Sequence, residues 1–177
     1  MTLPIVPADS PVLEPAEQLA LSLHERITRE PFFQGLTPGQ IQRLADCAME
    51  MNFAAGQSIF DAGSPANRFY LILEGRVALE CEGAEQRQIL VQTLGPGEDL
   101  GWSWLFPPYY LHFSAHAVEA TRTIFFYGTR LREQCEQDHE LGFQLMKRVA
   151  EVAVKSLQAT QMRLLDCLPR GGLPPPD

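Results

Sequence analysis

The side chains best suited to chemistry in this sequence are its histidines, its cysteines and one pair of adjacent acids. His112 and His116 could share a strand face and bind a metal ion, but no third ligand is evident nearby. The four cysteines show no spacing typical of zinc. Glu98 and Asp99 are adjacent and would point to opposite faces of a strand. Because no catalytic motif accompanies them, the sequence predicts a protein that is not an enzyme and has no metal or other resident cofactor.

A group of aromatic residues is the second candidate for a functional site. It comprises Trp102, Trp104, Phe106, Tyr109, Tyr110 and Phe113. Two interpretations are open. The rings could fill a core and leave no pocket, or they could form a stacking site for a planar or apolar ligand. We favour the first, since aromatic residues in a β domain usually belong to the core.

Short apolar runs separated by glycines predict the framework that positions these residues. The runs recur about every ten residues, which is typical of an antiparallel sandwich or jelly roll. They are Ser58–Phe60, Phe69–Leu73, Arg76–Cys81, Gln88–Leu94, His112–Val118 and Thr123–Tyr127.

Helical periodicity flanks this β region on both sides. Residues 16–30 carry leucine and isoleucine at intervals of four, which predicts a first helix. Thr37 is a good N-cap and Pro38 fits the first position of a second helix. A short helix is predicted over residues 129–137, after the last strand.

The last helix is predicted to be the longest, beginning after Asp138 as its cap and running to about Leu168, roughly 45 Å. It carries two apolar stripes, which indicates two partners, although one wide stripe on a single core is the alternative. The stripe expected to cover the β domain is Leu141, Leu145, Val149 and Val152. The stripe expected to meet a second copy of the chain is Ala150, Ala153, Leu157, Thr160 and Leu164. We therefore expect a homodimer through this helix.

The whole chain divides into four predicted parts. These are an N-terminal arm and helix (1–30), a β domain (31–128), C-terminal helices (129–168) and a disordered tail (169–177). A formal net charge of −8 opposes attraction to nucleic acid or to an anionic membrane. No segment has the pattern of a signal peptide or a membrane span, so we expect a cytoplasmic protein.

The segment from Gly56 to Val77, GQSIFDAGSPANRFYLILEGRV, resembles the cyclic-nucleotide-binding domain of the cAMP receptor protein type. That family reads G-x-x-I-F-x-x-G, a gap, then Y-h-h-h-x-G-x-h, where h is apolar. Residues 94–101, LGPGEDLG, resemble the approach to its phosphate-binding cassette. The resemblance covers about residues 32–168. It implies an antiparallel β-roll (a jelly roll, or double-stranded β-helix) with a long C-terminal dimerisation helix.

The cassette itself departs from the family pattern. In ligand-binding members a glycine and a glutamate precede a loop that ends in R-S/T-A, and the resemblance implies that the arginine pairs with the cyclic phosphate. Here Gly101 is kept, but Trp102 replaces the glutamate and Phe113 replaces the arginine before Ser114. Asp99 also stands where an apolar residue is usual. Losing the buried charge pair costs about 2–5 kcal/mol, so we expect weak or no binding of cAMP.

The resemblance also implies which residues surround a ligand. The candidates are Val91, Leu94, Leu100, Gly101, Trp102, Ser103, Trp104, Phe113, Ser114, Ala115 and Thr160. Thr160 is included because it resembles a threonine that contacts adenine across the dimer. A cyclic nucleotide or another small molecule is the ligand that such a site would hold.

Three functions are consistent with this sequence. The first is a non-catalytic sensor or regulatory module with a degenerate cassette. The second is a dimerising interaction module with a self-filled pocket and an unidentified protein partner. The third is a transcriptional regulator of the cAMP receptor protein family that acts without its own DNA-binding domain, because residues 169–177 offer no helix-turn-helix. We expect no direct binding to DNA.

Overall fold

A computed structural model describes residues 22–83 and 87–167 and contains eight strands in two sheets. The strands are β1 (Ala48–Phe53), β2 (Ser58–Phe60), β3 (Arg68–Glu74), β4 (Val77–Glu82), β5 (Gln88–Leu94), β6 (Asp99–Leu100), β7 (Ser114–Ala117) and β8 (Thr121–Tyr127). One sheet has the order β1-β8-β3-β6 and the other β2-β7-β4-β5, with antiparallel pairing. The predicted antiparallel β-roll is confirmed.

All six predicted strands are present, but one is shorter than its apolar run. The predicted run His112–Val118 becomes a strand only over Ser114–Ala117. His112 and Phe113 lie in a bend before the strand, since the chain first pairs Tyr110 with Pro65. His112 and His116 therefore do not share a strand face, and the described residues contain no cluster of three metal-ligating side chains.

The alternation of side chains along β3 creates two hydrophobic cores. Tyr70 and Ile72 face the interior of the roll, between the two sheets. Phe69 and Leu71 face the opposite way and pack beneath the helices. A strand that is apolar on both faces joins the two cores into one structure, which is why the run Phe69–Leu73 is continuously apolar.

In the described part of the chain, two short α-helices precede the roll with a 3-10 helix (Pro31–Phe33) between them, and each α-helix begins at a capping box. Helix α1 (Leu23–Arg29) is capped by Ser22, and helix α2 (Pro38–Ala45) by Thr37 as predicted. The Thr37 Oγ1 accepts a 3.3 Å hydrogen bond from the backbone of Gln40, whose side chain accepts one from the Thr37 N–H. Residues 16–21 of the predicted first helix lie outside the described residues, as do the arm before them and the tail 169–177.

Helices α3 (Gly128–Gln137) and α4 (His139–Cys167) follow the roll. Asp138 caps α4 as predicted, because its Oδ1 accepts a 3.0 Å hydrogen bond from the N–H of Leu141. That hydrogen bond, together with the side chains of Gln40 and Arg43 on α2, lowers the pKa of Asp138 below its usual value. The same carboxylate therefore starts α4 and joins it to α2.

The long helix α4 is buried only in its first half. Leu141, Leu145 and Val149 lie in the helix-side core, as the first predicted stripe requires. Val152, the last residue of that stripe, is half-buried. On other faces and farther along the helix, large apolar side chains are exposed, namely Phe143, Met146, Val154, Leu157, Met162, Leu164 and Leu165. None of the helices in the described part of the chain is long and apolar enough to span a membrane.

Candidate functional site

The candidate site begins at a tight turn after β6. Gly101 has φ +83°, and a Cβ there would lie 2.7 Å from the carbonyl oxygen of Arg68. Only glycine can hold this backbone conformation so close to β3, the strand that neighbours β6 in the sheet. The turn starts a short 3-10 helix, Trp102–Leu105, at the residues where the sequence resemblance predicts the cassette.

A small cavity lies between this turn, the roll and α4. Its lining residues are Phe60, Leu79, Asp99, Leu100, Gly101, Trp102, Ser103, Leu111, His112, Phe113 and Ser156. The cavity volume is about 20 Å³, and a void needs about 10–15 Å³ to hold one water. Pockets for small molecules enclose about 300–1,000 Å³. A whole nucleotide would therefore have to displace the side chains that line this cavity.

Five of the predicted site residues line the cavity, and the other six do not. The five are Leu100, Gly101, Trp102, Ser103 and Phe113. Among the others, Val91 is a buried residue of β5, and Leu94 and Ala115 belong to the roll interior. Ser114 lies at the start of β7, and its Oγ accepts a 3.0 Å hydrogen bond from the N–H of Ala62. Thr160 donates to the Ser156 carbonyl oxygen within α4, at 2.9 Å.

The aromatic group does not form one cluster. Trp104 is 1% exposed and belongs to the helix-side core, where its ring lies 6.2 Å from that of Phe69. Phe106, Tyr109 and Tyr110 are exposed, with Arg132 stacked 4.5 Å above the ring of Tyr109. Only Trp102 and Phe113 lie at the cavity. The core interpretation therefore holds for Trp104 but does not extend to all six rings.

Six lining residues were not among the predicted site residues, namely Phe60, Leu79, Asp99, Leu111, His112 and Ser156, and Asp99 is the charged one. It is only 8% exposed, and its Oδ2 has no hydrogen-bond partner among the described residues. Burial is the main cause that raises the pKa of Asp99 to about 7; the charge of Glu98 adds to this rise, and Lys155 on α4 and a backbone hydrogen bond oppose it. The available signal was a charged residue at a position where the family places an apolar one.

The charge of the cavity is opposite to that of a phosphate site. Among the described residues that line it, Asp99 is an acid and neither lysine nor arginine is present. A cyclic phosphate is an anion and normally meets an arginine. Phe113, in the place of that arginine, is a half-buried apolar ring. The cavity therefore lacks the group that would balance a phosphate charge.

The long helix is part of the site. Ser156 of α4 lines the cavity, and Arg163 farther along the helix donates a 3.2 Å hydrogen bond to the carbonyl oxygen of Leu90. The cavity therefore borders directly on α4.

The fold and the site define the class of protein. The family model of the cyclic nucleotide-binding domain matches residues 50–138, half of the chain. The chain belongs to this family.

Three relatives illustrate the range of similarity. A cyclic nucleotide-binding protein from Geobacter metallireducens, known from its crystal structure, is 34% identical, with a TM-score of 0.68 over 75% of this chain and 96% of that one. A cyclic nucleotide-binding domain from Methylobacillus flagellatus has a TM-score of 0.69 at 14% identity over 85% of each chain, which shows a shared fold alone. The CRP-like cAMP-activated global transcriptional regulator of Mycobacterium tuberculosis is 26% identical over 146 residues, 82% of this chain. The chain spans 63% of the length of that regulator.

Proposed function

We propose that this chain is a non-catalytic regulatory module of the cyclic nucleotide-binding family that does not bind cAMP or cGMP with useful affinity. The observation that carries the proposal is the cavity, which is lined by Trp102, Phe113 and the buried acid Asp99 and by no lysine or arginine among the described residues. A phosphate placed there would meet a carboxylate and two apolar rings. Both the charge and the lost hydrogen bonds oppose binding.

A homodimer through α4 is the second part of the proposal. Exposed apolar residues recur three or four positions apart along the helix, as in Phe143, Met146, Ala150, Val154 and Leu157. Such spacing is typical of a helix that pairs with another helix. Of the predicted interface, Ala150, Leu157 and Leu164 are exposed in the single chain, whereas Ala153 and Thr160 are half-buried. The proposed contact is therefore centred on Val154 and Leu157.

The proposed mechanism couples the cavity to the dimer. Ser156 lines the cavity one residue before Leu157, which is exposed for the partner helix. An occupant of the cavity would shift α4 and thereby change the stability of the dimer. The signal would pass to a partner protein. We place this activity in the cytoplasm, as the sequence predicts.

A second candidate function is an interaction module with a self-filled pocket. The small cavity volume of about 20 Å³ favours it, since little room is left for a ligand. In this case the dimer would be constitutive, and an unidentified protein partner would bind its surface. A role in transcription, like that of the mycobacterial relative, would then depend on such a partner.

Calorimetry with cAMP, cGMP and cyclic di-GMP tests the main proposal. We expect no binding up to concentrations on the order of 1 mM. The double substitution Trp102→Glu and Phe113→Arg restores the two family groups and is expected to create binding of cAMP. Trp102→Glu with Tyr110→Arg is the matched control, because its arginine replaces an exposed tyrosine that does not line the cavity. Micromolar binding of a cyclic nucleotide by the unmodified protein would overturn the proposal.

A further inference from the structure

The cavity at the cassette carries an acid that the fold does not need. Asp99 pairs with Leu71 across β3 and β6, and Leu71 packs in the helix-side core. An apolar residue at position 99 would suit a buried strand position beside Leu71. Instead, Oδ2 of Asp99 is buried without a partner in the described part of the chain. A buried carboxylate without a partner destabilises a fold, and such costs are typical of functional sites.

The neighbours of Asp99 are suited to a positively charged ligand. The half-buried indole of Trp102 lines the same cavity, and indoles are the aromatic groups that bind cations best. Two hydroxyls, those of Ser103 and Ser156, also line it. An ammonium group has three N–H donors, which a carboxylate oxygen and two hydroxyl oxygens can accept.

We propose that this cavity binds the head group of a small primary ammonium compound, with Asp99 as its counter-ion and Trp102 as its stacking surface. The inference rests on the proposed function, because the cavity must not be a cyclic phosphate site.

The volume of the cavity limits the form of this ligand. About 20 Å³ admits an ammonium group and little more. The ligand's body would lie at the mouth, where the rings of Trp102 and His112 are 6.3 Å apart, centre to centre. His112 is exposed and Trp102 half-buried, so both can move apart to admit a planar or apolar body. We therefore expect an aryl or alkyl amine rather than a polyamine or a bare metal ion.

The charges around Asp99 set the pH dependence of binding. Glu98 raises the pKa of Asp99 and Lys155 lowers it, without forming an ion pair with it. His112 is the other titratable side chain that lines the cavity. An ammonium group binds the ionised form of Asp99. Because burial raises the pKa of Asp99 to about 7, affinity should increase as the pH rises through 7 and decrease as it falls below 7.

Nuclear magnetic resonance with three matched probes tests the inference. Benzylammonium carries the charge, benzyl alcohol is its neutral analogue and benzoate is the anion. The indole N–H signals of Trp102 and Trp104 are assigned with a Trp102→Phe variant. We expect benzylammonium to shift the Trp102 signal with a dissociation constant on the order of 1 mM. The alcohol should bind at least about tenfold more weakly and benzoate should not bind, because neither offers a cation to the carboxylate.

The variant Asp99→Asn removes the counter-ion, and Glu98→Gln is its matched control. Both lose one negative charge, but Glu98 is exposed and does not line the cavity. Asp99→Asn should weaken benzylammonium binding at least about tenfold, whereas Glu98→Gln should change it less than about twofold.

The result that overturns the inference is equal binding of amine and alcohol, equal binding by the two variants, or no shift by any probe. The separate titration with cAMP distinguishes this failure from a failure of the proposed function. If the proposed function is wrong, cAMP binds to the unmodified protein, whether or not benzylammonium binds.

Discussion

The helix-side core and the cavity at the cassette are built from neighbouring residues of the same short segment, yet they differ in chemistry. Trp104 lies in the core, packed against Phe69, and Leu71 fills the space beneath the helices. Trp102 and Asp99 line the cavity, where one buried polar atom has no partner in the described chain. The core also contains a buried polar atom without a partner in the described residues, the indole nitrogen of Trp104, but the atom at the cavity belongs to an ionisable side chain, whose burial costs more. One short segment of the chain therefore contributes both to an apolar core and to a cavity that holds a buried acid.

The largest expected effect separates the two tryptophans. Trp104→Ala would leave a large void in the core and should lower the free energy of unfolding by about 3–5 kcal/mol. Trp102→Ala removes a half-buried ring and should cost less than about 2 kcal/mol. Urea denaturation followed by circular dichroism measures both. Similar losses for the two variants would show that the distinction between core and cavity is wrong.

The next effect concerns the exposed end of α4. Leu157→Asp places a charge in the proposed helix pair and should weaken the dimer at least about hundredfold. Sedimentation at several protein concentrations gives the dissociation constant. Gln158→Asp is the control, since it adds the same charge at an exposed position beside the stripe. A monomeric unmodified protein would contradict the dimer itself.

A smaller effect tests the cost of the cavity. Asp99→Leu should raise the free energy of unfolding at pH 8 by about 1–3 kcal/mol, because it removes an unpaired buried carboxylate. Folding raises the pKa of Asp99 from 3.8 to about 7. Asp99 therefore does not reduce the stability of the fold below about pH 4, where its carboxyl is protonated in the folded and the unfolded chain. The free energy of unfolding then decreases as the pH rises to about 7, because the unfolded chain releases this proton first. The stability difference between the variant and the unmodified protein should accordingly grow between pH 4 and 8. A difference that is constant with pH would exclude an unpaired Asp99.

The smallest effect lies in the framework far from the cavity. Thr37→Ala removes the cap of α2 and should lower the free energy of unfolding by about 1 kcal/mol. Thr37→Ser keeps the oxygen and serves as the control. The Trp102 indole signal should be unchanged in both variants, because the cap contacts no residue that lines the cavity. A shift of the Trp102 signal in either variant would show that the cap of α2 and the cavity are coupled and would contradict this prediction.

Most of the framework could be predicted because its signals are local. Six strands were evident from apolar runs between glycines, and Thr37 and Asp138 were evident as caps from residue type alone. Strand β6 was missed because two residues carry no periodicity. Strand β1, Ala48–Phe53, was missed as a run because its exposed middle is mixed in character.

The candidate site could be predicted only in part. The replacement of two family residues by Trp102 and Phe113 was visible in the sequence, and both do line the cavity. The contribution of Ser156 was not visible, since it depends on where α4 crosses the roll. The placement of Val91 and Leu94 away from the cavity depends on the packing of β5, which the resemblance alone did not provide.

The β-roll and the helix caps could be predicted from the sequence alone, because each depends on a few neighbouring residues. The presence of Trp102 and Phe113 where the family pattern has a glutamate and an arginine was equally visible there. That Trp104 lies in the core and Trp102 at the cavity was evident only from the folded structure. In a 3-10 helix with three residues per turn, two side chains two positions apart point in different directions. Likewise, the burial of Asp99 became evident only from the folded structure. Whether a carboxylate meets water or protein is a property of the surroundings and not of the chain that carries it.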